Sequence, residues 1–315
     1  MTVAPMKAVL IGNFRFRHCT EVAVADGLEQ LGWQVRRIQQ HDATPALVRL
    51  EVDQGAQLVL YTRTHDHSAL GPEWTQTWRD YEQAGAQTAS LHLDLFRTLP
   101  RARLVERADP LFTTGTVFTP DAGDPGWWEK HGVHHVWCPP AHALIDPSTP
   151  EARESVGRVP PVVFIGTVRG YHPEHAPWRS TLLRSLARRY GRDQVGIYGS
   201  GTRPVRGPEL TAVLEQAEVA IGDVCGGGLI ETYWSDRVVE SLARGCPIIH
   251  PAVSMLSEIH PDVIQHRPFD LDEIGQAIDV ARQASPDARA TLRRRALDGH
   301  GWASRLAEFV LPHLA

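Results

Sequence analysis

Residues 233–251 of the chain read YWSDRVVESLARGCPIIHP. Ser235 or Asp236 can cap a helix over 236–244, and Gly245 stands where such a helix would end. The apolar run PIIHP that follows predicts a short buried strand. A helix followed directly by a buried strand is the repeating unit of a parallel α/β sheet, so this stretch predicts an α/β fold.

Two charged side chains of the predicted helix suggest a ligand. The N-terminus of a helix offers unpaired N–H groups to an anion, and Arg237 in the first turn adds a guanidinium fork that can hold two phosphate oxygens. Glu240, one turn later, could accept both hydroxyls of a ribose diol. The alternative is a plain amphipathic helix on which Arg237 and Glu240 pair at the surface with i,i+3 spacing. The residues alone leave both interpretations open.

The same alternation of helix and strand runs through both halves of the chain. Apolar runs at 7–11 (KAVLI), 57–62, 162–167 and 194–199 predict strands, and the segments between them have helical periodicity. We therefore expect two Rossmann-like domains with the ligand at the C-terminal ends of the strands, in the cleft between them. The stretch 146–161 is rich in proline, serine and charge and predicts a linker.

Composition excludes several classes of protein. The chain has 315 residues, of which 42 % are hydrophobic and 22 % charged, a balance typical of a soluble enzyme. No apolar run approaches the roughly 20 residues of a membrane span, and the N-terminus lacks the order of a signal peptide. Four scattered cysteines without a C-x-x-C pair argue against a disulfide scaffold, which favours the cytoplasm. The net charge of −5 gives no general attraction to nucleic acid.

The decisive stretch resembles the donor-nucleotide signature of GT-B glycosyltransferases. The segment SDRVVESLARGCPII is closest to the group-1-like, CgeB-type (spore-maturation) branch, which reads approximately R-x-x-E-x-x-A-x-G. VVFIGTVRG, QVGIYGSG and LEQAEVAIG resemble the strands and glycine turns of that nucleotide-binding domain, and GAQTASLHLDLF and ADPLFTTG resemble acceptor-domain strands. The resemblance implies a GT-B fold with an acceptor-binding domain over 1–150 and a nucleotide-sugar-binding domain over 151–300. A terminal helix over 301–315 would cross back onto the first domain.

The resemblance also implies the activity and the donor site. The reaction would be metal-independent transfer of a sugar from a nucleotide-diphosphate donor, most simply a UDP-sugar, to an acceptor hydroxyl. The donor-binding residues would be Gly166, Arg169, Gly199, Ser200, Gly201, Ser235, Asp236, Arg237 and Glu240. Related retaining enzymes carry a second glutamate eight positions before the one at Glu240, and here that position is Thr232.

Catalytic groups are expected from the first domain, at the ends of its strands. His92 and Asp94 follow one strand, and His65 and Asp66 follow another. An inverting transfer needs a general base within reach of the acceptor hydroxyl, whereas a retaining transfer does not. We expect Asp94 with His92 to be this base or to contact the donor sugar. The alternating histidines around Asp66 are a weak metal signal without a complete ligand set, so no metal is predicted.

Acceptor-binding residues are predicted in two places. Asn13, Arg15 and Arg17 follow the first strand, and Arg97 and Arg101 lie beside the candidate base. Because Trp74, Trp78, Trp127 and Trp128 belong to the same domain, the arginines could bind a phosphate backbone while a ring stacks on a base. The acceptor could therefore be a glycan, a small molecule or, as in phage enzymes that glycosylate a hydroxymethylated base, modified DNA.

Two further classes remain open at this stage. A sugar-nucleotide epimerase would also use two facing Rossmann-like domains, and would need several acid and base groups around one sugar. A non-catalytic nucleotide-sugar-binding protein is favoured by Thr232 in place of a glutamate. The sequence does not specify the donor base, the acceptor, the stereochemical outcome or the oligomeric state.

Overall fold

A computed structural model describes residues 5–63, 70–97, 101–121, 123–168, 176–199, 203–223 and 232–314. The chain divides into two compact units. The first comprises residues 1–143 together with 301–315, and the second comprises residues 144–300. Within the described residues, no helix is both long enough and apolar enough to cross a membrane.

The first unit contains, in the part of the chain that the structure describes, a six-stranded parallel sheet of order β2-β1-β3-β4-β5-β6. The strands are β1 (Lys7–Gly12), β2 (Gln34–Gln39), β3 (Leu58–Thr62), β4 (Gln87–Leu91), β5 (Thr116–Thr119) and β6 (His135–Trp137). The helices between them are α1 (Thr20–Gln30), α2 (Pro45–Asp53), α3 (Trp74–Gln83), α4 (Ala102–Glu106) and α5 (Pro125–Lys130), with a 3-10 turn at Pro110–Phe112. β1 and β3 are nearly continuous apolar runs, as expected for parallel strands whose two faces are both covered by apolar cores.

The second unit repeats this plan with a five-stranded parallel sheet of order β11-β10-β9-β7-β8 among the described residues. The strands are β7 (Val162–Ile165), β8 (Val195–Tyr198), β9 (Val219–Ile221), β10 (Ile248–Pro251) and β11 (Ile264–His266). The helices are α6 (Pro150–Val156), α7 (Ala176–Tyr190), α8 (Gly207–Gln216), α9 (Arg237–Leu242), α10 (Ser254–Ile259), α11 (Leu271–Ala281) and α12 (Pro286–Gly299). The strands predicted at 7–11, 57–62, 162–167 and 194–199 are thus present, with shorter bounds for three of them.

The predicted linker at 146–161 is not wholly irregular, because it contains helix α6 and belongs to the second unit. Thr149 caps this helix by accepting the N–H of Ala152 at 3.1 Å, and Pro150 occupies the first helical position, where its missing N–H costs nothing. Ala152 and Val156, one turn apart, are buried. Residues 150–156 of the predicted linker are therefore helical, and the capping signal for this helix was in the sequence.

The C-terminal segment is helical but is not one regular α-helix. An α-helical turn, α13 (Trp302–Arg305), leads into a π-helical stretch at Leu306–Val310 and a 3-10 turn at Leu311–His313. Trp302, Leu306 and Val310 are buried in the apolar core that includes Leu28 of α1. Gly27 of α1 lies so close to this segment that an added Cβ would be 2.9 Å from the backbone nitrogen of Ala303.

We expect Gly27→Ala to destabilise the protein even though alanine has the higher helix propensity. The new methyl group would meet backbone rather than a movable side chain, and overpacking of this kind costs about 1–3 kcal/mol of unfolding free energy. Gly299→Ala in α12 is the matched control, because an added Cβ there has no atom within 4 Å. Urea denaturation of both variants tests this, and a Gly27→Ala protein as stable as the wild type would contradict it.

Candidate functional site

The strand order of the second sheet reverses at β7, which has β8 on one side and β9 on the other. In open α/β sheets, ligands bind at the carboxyl ends of the strands where the order changes in this way. Gly166 follows β7 at that edge, and Asp223 follows β9. The candidate site of this unit is therefore built around the loops that contain these two residues.

Asp223 is the centre of a buried group of charges. Its two carboxylate oxygens pair with two arginines, Oδ2 with Nε of Arg179 at 2.5 Å and Oδ1 with a terminal nitrogen of Arg237 at 2.9 Å. Asp223 is 3 % exposed and Arg179 7 % exposed. One carboxylate therefore balances two guanidinium groups, and the group, which we call the arginine cradle (Arg179, Asp223 and Arg237), keeps a net charge of +1.

Both arginines of the cradle also contact the backbone at the end of β7 and the ring of Phe164. Arg179 donates to the carbonyl of Thr167, and Arg237 donates to the carbonyl of Ile165. The guanidinium carbons lie 5.4 Å and 5.0 Å from the ring centroid of Phe164, for Arg179 and Arg237 respectively. These cation–π contacts and the charged hydrogen bonds hold both forks at the end of the strand.

Two glycines predicted to bind the donor allow the backbone to pass close to this cradle. Gly166 has φ +151°, and a Cβ at this position would lie 2.5 Å from a terminal nitrogen of Arg237. Gly199, with φ +137°, packs against Gly166, whose carbonyl oxygen would be 2.4 Å from an added Cβ. A side chain at either position would push the loops apart or displace the guanidinium. The structure thus brings Gly166, Gly199 and Arg237 together.

The helix that carries Arg237 is shorter than predicted. The sequence indicated a helix over 236–244, whereas α9 spans Arg237–Leu242, and the side chain of Asp236 makes no capping hydrogen bond. Ser235 Oγ instead accepts a hydrogen bond from Arg237 at 3.2 Å. A six-residue helix contributes little dipole, so positive charge at this edge comes mainly from the arginines.

Glu240 does not form the surface pair with Arg237 that the spacing allowed, because Arg237 is engaged by Asp223. Its partner is Arg244, which donates to both the carboxylate and the backbone carbonyl of Glu240. Arg244 is 3 % exposed and also donates to Thr211 Oγ1 of α8 at 2.9 Å. The Glu240 carboxylate is thereby held in one orientation, and its side chain stays 16 % exposed.

A neutral histidine lies near Asp223. His250 of β10 is completely buried, and burial lowers its pKa to about 4. Its Nδ1 lies 2.8 Å from the carbonyl oxygen of Pro251, an acceptor, so Nδ1 carries the proton. At neutral pH His250 thus adds no charge, and the electrostatic balance of the cradle rests on Asp223 and the two arginines.

In the first unit, His92 and Asp94 follow β4, as predicted, and the structure adds Arg101 to them. Asp94 forms an ion pair with Arg101 at 2.7 Å, and the backbone N–H of Asp94 donates to Nδ1 of His92 at 3.1 Å. Since Nδ1 accepts this hydrogen bond, the proton of the neutral imidazole is on Nε2. Nε2 is therefore the hydrogen-bond donor of the His92 ring, and the guanidinium of Arg101 pairs with the Asp94 carboxylate.

The other predicted acceptor residues lie in two different environments. Arg97 approaches Asp121 at 3.7 Å and Asp124 at 3.6 Å. Asn13 is buried after β1 and accepts the backbone N–H of Arg15 at 3.2 Å, while the side chains of Arg15 and Arg17 are exposed. Arg97 and Arg101 thus have carboxylate partners, and the side chains of Arg15 and Arg17 are exposed.

Several predicted residues lie outside the described residues, namely His65, Asp66, Arg169, Ser200 and Gly201. Among the described residues, no group of three or more histidine, cysteine, aspartate or glutamate side chains is placed to hold a metal ion. Arg203 follows the predicted phosphate turn at 199–201. Its guanidinium donates to the carbonyls of Ser155 and Val156 and so connects its loop to α6.

The aromatic residues that suggested a nucleic-acid surface are mostly core residues. Trp74, Trp78 and Trp128 are 2 %, 0 % and 1 % exposed, and Trp127 packs partly buried against the same core. The three buried rings cannot stack on a base without unfolding the unit. The tryptophans of the first unit therefore give no support to a DNA acceptor.

Sequence reasoning missed Arg179, Asp223, Arg244 and Asp121. Asp223 directly follows the apolar stretch VAIG, and this place at the end of a strand was the available signal. Arg179 is 44 residues from Asp223 in the chain, so nothing local indicated that they pair. Asp121 lies just past β5 and is fully buried. The partners of Arg179, Asp223 and Asp121 are distant in the sequence, whereas Arg244 pairs with Glu240 four residues before it.

The fold is the GT-B fold of glycosyltransferases. No protein-family model and no curated protein matches the chain. A UDP-forming α,α-trehalose-phosphate synthase from Burkholderia xenovorans is 11 % identical over 98 % of both chains, with a TM-score of 0.58. An α1,3-fucosyltransferase is 12 % identical over 99 % of this chain and 90 % of the other, with a TM-score of 0.51. AviGT4, a glycosyltransferase of avilamycin A biosynthesis, is 16 % identical over 96 % and 95 %, with a TM-score of 0.50.

We expect Asp223→Ala to cost about 3–5 kcal/mol of unfolding free energy, because it removes the buried carboxylate that pairs with two largely buried guanidinium groups. Glu218→Ala is the control, since Glu218 pairs with Arg282 where both side chains are substantially exposed, and its loss should cost less than about 1 kcal/mol. Chemical denaturation at pH 7 measures both. Equal, small losses would show that the cradle is not held by Asp223.

Proposed function

We propose that the protein transfers a sugar from a nucleoside diphosphate sugar to an acceptor hydroxyl. The observation that carries the proposal is the arginine cradle at the topological switch point of the second sheet. Its net positive charge and its forked donors fit a diphosphate, and the GT-B fold supplies the general context for sugar transfer. The second unit would bind the donor and the first unit the acceptor.

The cradle also suggests how the reaction is assisted. Departure of the sugar leaves an additional negative charge on the diphosphate, and Arg179 and Arg237 lie where they can stabilise it. Two fixed guanidinium groups supply the charge that a divalent cation supplies in other transferases, which supports a metal-independent transfer. Glu240, oriented by Arg244, would accept the ribose hydroxyls.

In the first unit, His92 and Asp94 would form hydrogen bonds with the reacting hydroxyl groups. His92 would donate from Nε2 to a sugar hydroxyl, and Asp94 would accept the hydrogen bond of the acceptor hydroxyl. Arg101 pairs with Asp94 at 2.7 Å and so helps to orient its carboxylate. Arg15 and Arg17, exposed after β1, would contact an acceptor that carries anionic groups.

The finer assignments of donor and branch belong to the same proposal. Arg237, Glu240, Ala243 and Gly245 occupy the positions of the R-x-x-E-x-x-A-x-G signature of the CgeB-type branch. The trehalose-phosphate synthase that shares the fold is described as UDP-forming. We therefore propose a UDP-hexose as the donor and UDP as the product.

Binding of UDP to the purified protein tests the proposal first. At 100 times its dissociation constant, a ligand stabilises the folded state by about 2.7 kcal/mol, which a melting-temperature shift detects readily. Arg237→Lys keeps the charge but loses the fork, and Arg237→Ala loses both. We expect UDP affinity to fall by about 10- to 100-fold in Arg237→Ala, the loss expected for a charged hydrogen bond, and less in Arg237→Lys.

Arg282→Ala is the matched control for these variants. Arg282 follows α11 and pairs with Glu218, which directly precedes β9, so this pair lies at the sheet edge opposite the cradle. Its substitution should leave UDP affinity unchanged. Absence of a shift with UDP, GDP, dTDP, CDP and ADP and with their sugar conjugates would contradict the proposal. Binding with conversion of the sugar in the absence of an acceptor would indicate an epimerase.

A further inference from the structure

The segment that carries His92 and Asp94 has no regular secondary structure to hold it. β4 ends at Leu91 and α4 begins at Ala102, and the last backbone bond of the ladder is from His92 N–H to the carbonyl of Phe118, at 3.0 Å. Residues 92–97 must therefore be fixed by other hydrogen bonds. Those bonds decide where the imidazole and the carboxylate point.

Asp121 provides two of these bonds. Its Oδ2 accepts two backbone N–H groups, from Phe96 at 2.9 Å and from Arg97 at 2.8 Å. The guanidinium of Arg97 approaches the other carboxylate oxygen at 3.7 Å. Asp121 is 0 % exposed, so the charge-assisted bonds act without competition from water.

Phe96 connects Asp121 to the candidate site. Its ring lies edge-on to His92, with centroids 4.7 Å apart, and beneath the guanidinium of Arg101 at 5.6 Å. Arg101 in turn pairs with Asp94. A displacement of Phe96 would therefore move both His92 and the Asp94–Arg101 pair.

Asp121 is itself held in place by two hydrogen bonds of its own backbone. Its backbone N–H donates to Thr119 Oγ1 at 3.1 Å, and its carbonyl accepts the indole N–H of Trp128 at 3.0 Å. His135 stacks on Trp128 with centroids 4.2 Å apart and forms a 2.8 Å hydrogen bond with Thr119 Oγ1. Burial lowers the pKa of His135 to about 3, so this support stays neutral and unchanged over the physiological range.

We propose that Asp121 is a positioning residue for the sugar-transfer site, which sets the orientation of His92 and Asp94 through Phe96 and Arg97. This inference rests on the proposed function of His92 and Asp94. Asp121 acts through the backbone of the 92–97 segment and does not itself touch substrate. Its effect should therefore fall on turnover rather than on donor binding, which the second unit provides.

Two substitutions at Asp121 and one nearby separate this role from general stability. Asp121→Ala removes both backbone acceptors, whereas Asp121→Asn keeps an oxygen for them and loses only the charge. Asp124 is the matched control, because it also faces Arg97, at 3.6 Å, but its side chain is 51 % exposed and accepts the N–H of Trp127 in α5. The N–H groups of Phe96 and Arg97 donate to Asp121.

We expect kcat to fall about 100-fold in Asp121→Ala, the loss that misplacement by an ångström can produce, and about 10-fold in Asp121→Asn. UDP affinity and the KM for the donor should remain within about twofold of the wild type in both, as should every parameter of Asp124→Ala. The ¹⁵N spectrum of the His92 ring, assigned with His92→Gln, should show protonated Nε2 in the wild type. It should show a mixture of tautomers in Asp121→Ala.

A wild-type kcat together with a wild-type His92 spectrum in the Asp121 variants would overturn the proposal. If Asp121→Ala does not fold, the same two readouts in Asp121→Asn decide the question. If the wild-type protein transfers no sugar, the proposed function fails, while the His92 spectrum still shows whether Asp121 orients the ring. A fall in UDP affinity equal to the fall in kcat would indicate general structural damage and would also count against the proposal.

Discussion

The candidate donor site depends on one carboxylate that holds two guanidinium groups beside the same aromatic ring. Without Asp223, Arg179 and Arg237 would repel each other at the end of β7, where burial weakens the screening by water. With it, both arginines can hydrogen-bond to the carbonyls at the end of that strand. The loop after β7, the strand end of β9 and the beginning of α9 are thereby joined through a single buried group.

Each unit has a buried aspartate that orients polar groups at the edge of its sheet. Asp121 follows β5 in the first sheet, Asp223 follows β9 in the second, and both are buried at the carboxyl edge of a parallel sheet. Asp223 orients side-chain cations, whereas Asp121 orients backbone N–H groups. In each case a buried carboxylate fixes a loop that regular secondary structure does not, which is how a rigid sheet can hold a precise arrangement of polar groups.

Much of the fold could be predicted from the sequence, because buried parallel strands and helix ends leave local signals. The apolar runs KAVLI and VVFI lie in strands, and Gly245 ends the turn after α9. The helix inside the predicted linker was missed although Thr149 and Pro150 signal its start. The resemblance to GT-B transferases implied the correct fold, while the branch and the donor stay predictions.

The candidate site was harder to predict, because its partners are distant in sequence. Arg237 was correctly singled out, but its pairing with Asp223 rather than Glu240 depends on strands that only the fold brings together. Arg244 follows Glu240 by four residues, a spacing that favours an ion pair. The pair considered from the sequence was instead that of Glu240 with Arg237, three residues before it. Two of the tryptophans that suggested a nucleic-acid surface, Trp74 and Trp78, are buried one turn apart in α3, which the helical periodicity could have indicated.

A crystal structure of the protein with UDP tests the central claim most directly. The account predicts that the β-phosphate oxygens lie within hydrogen-bond distance of both Arg179 and Arg237, with the ribose hydroxyls on Glu240 and with Asp223 still paired to the guanidinium groups. UDP bound elsewhere on the second unit, or bound at this edge without contact to either arginine, would contradict it.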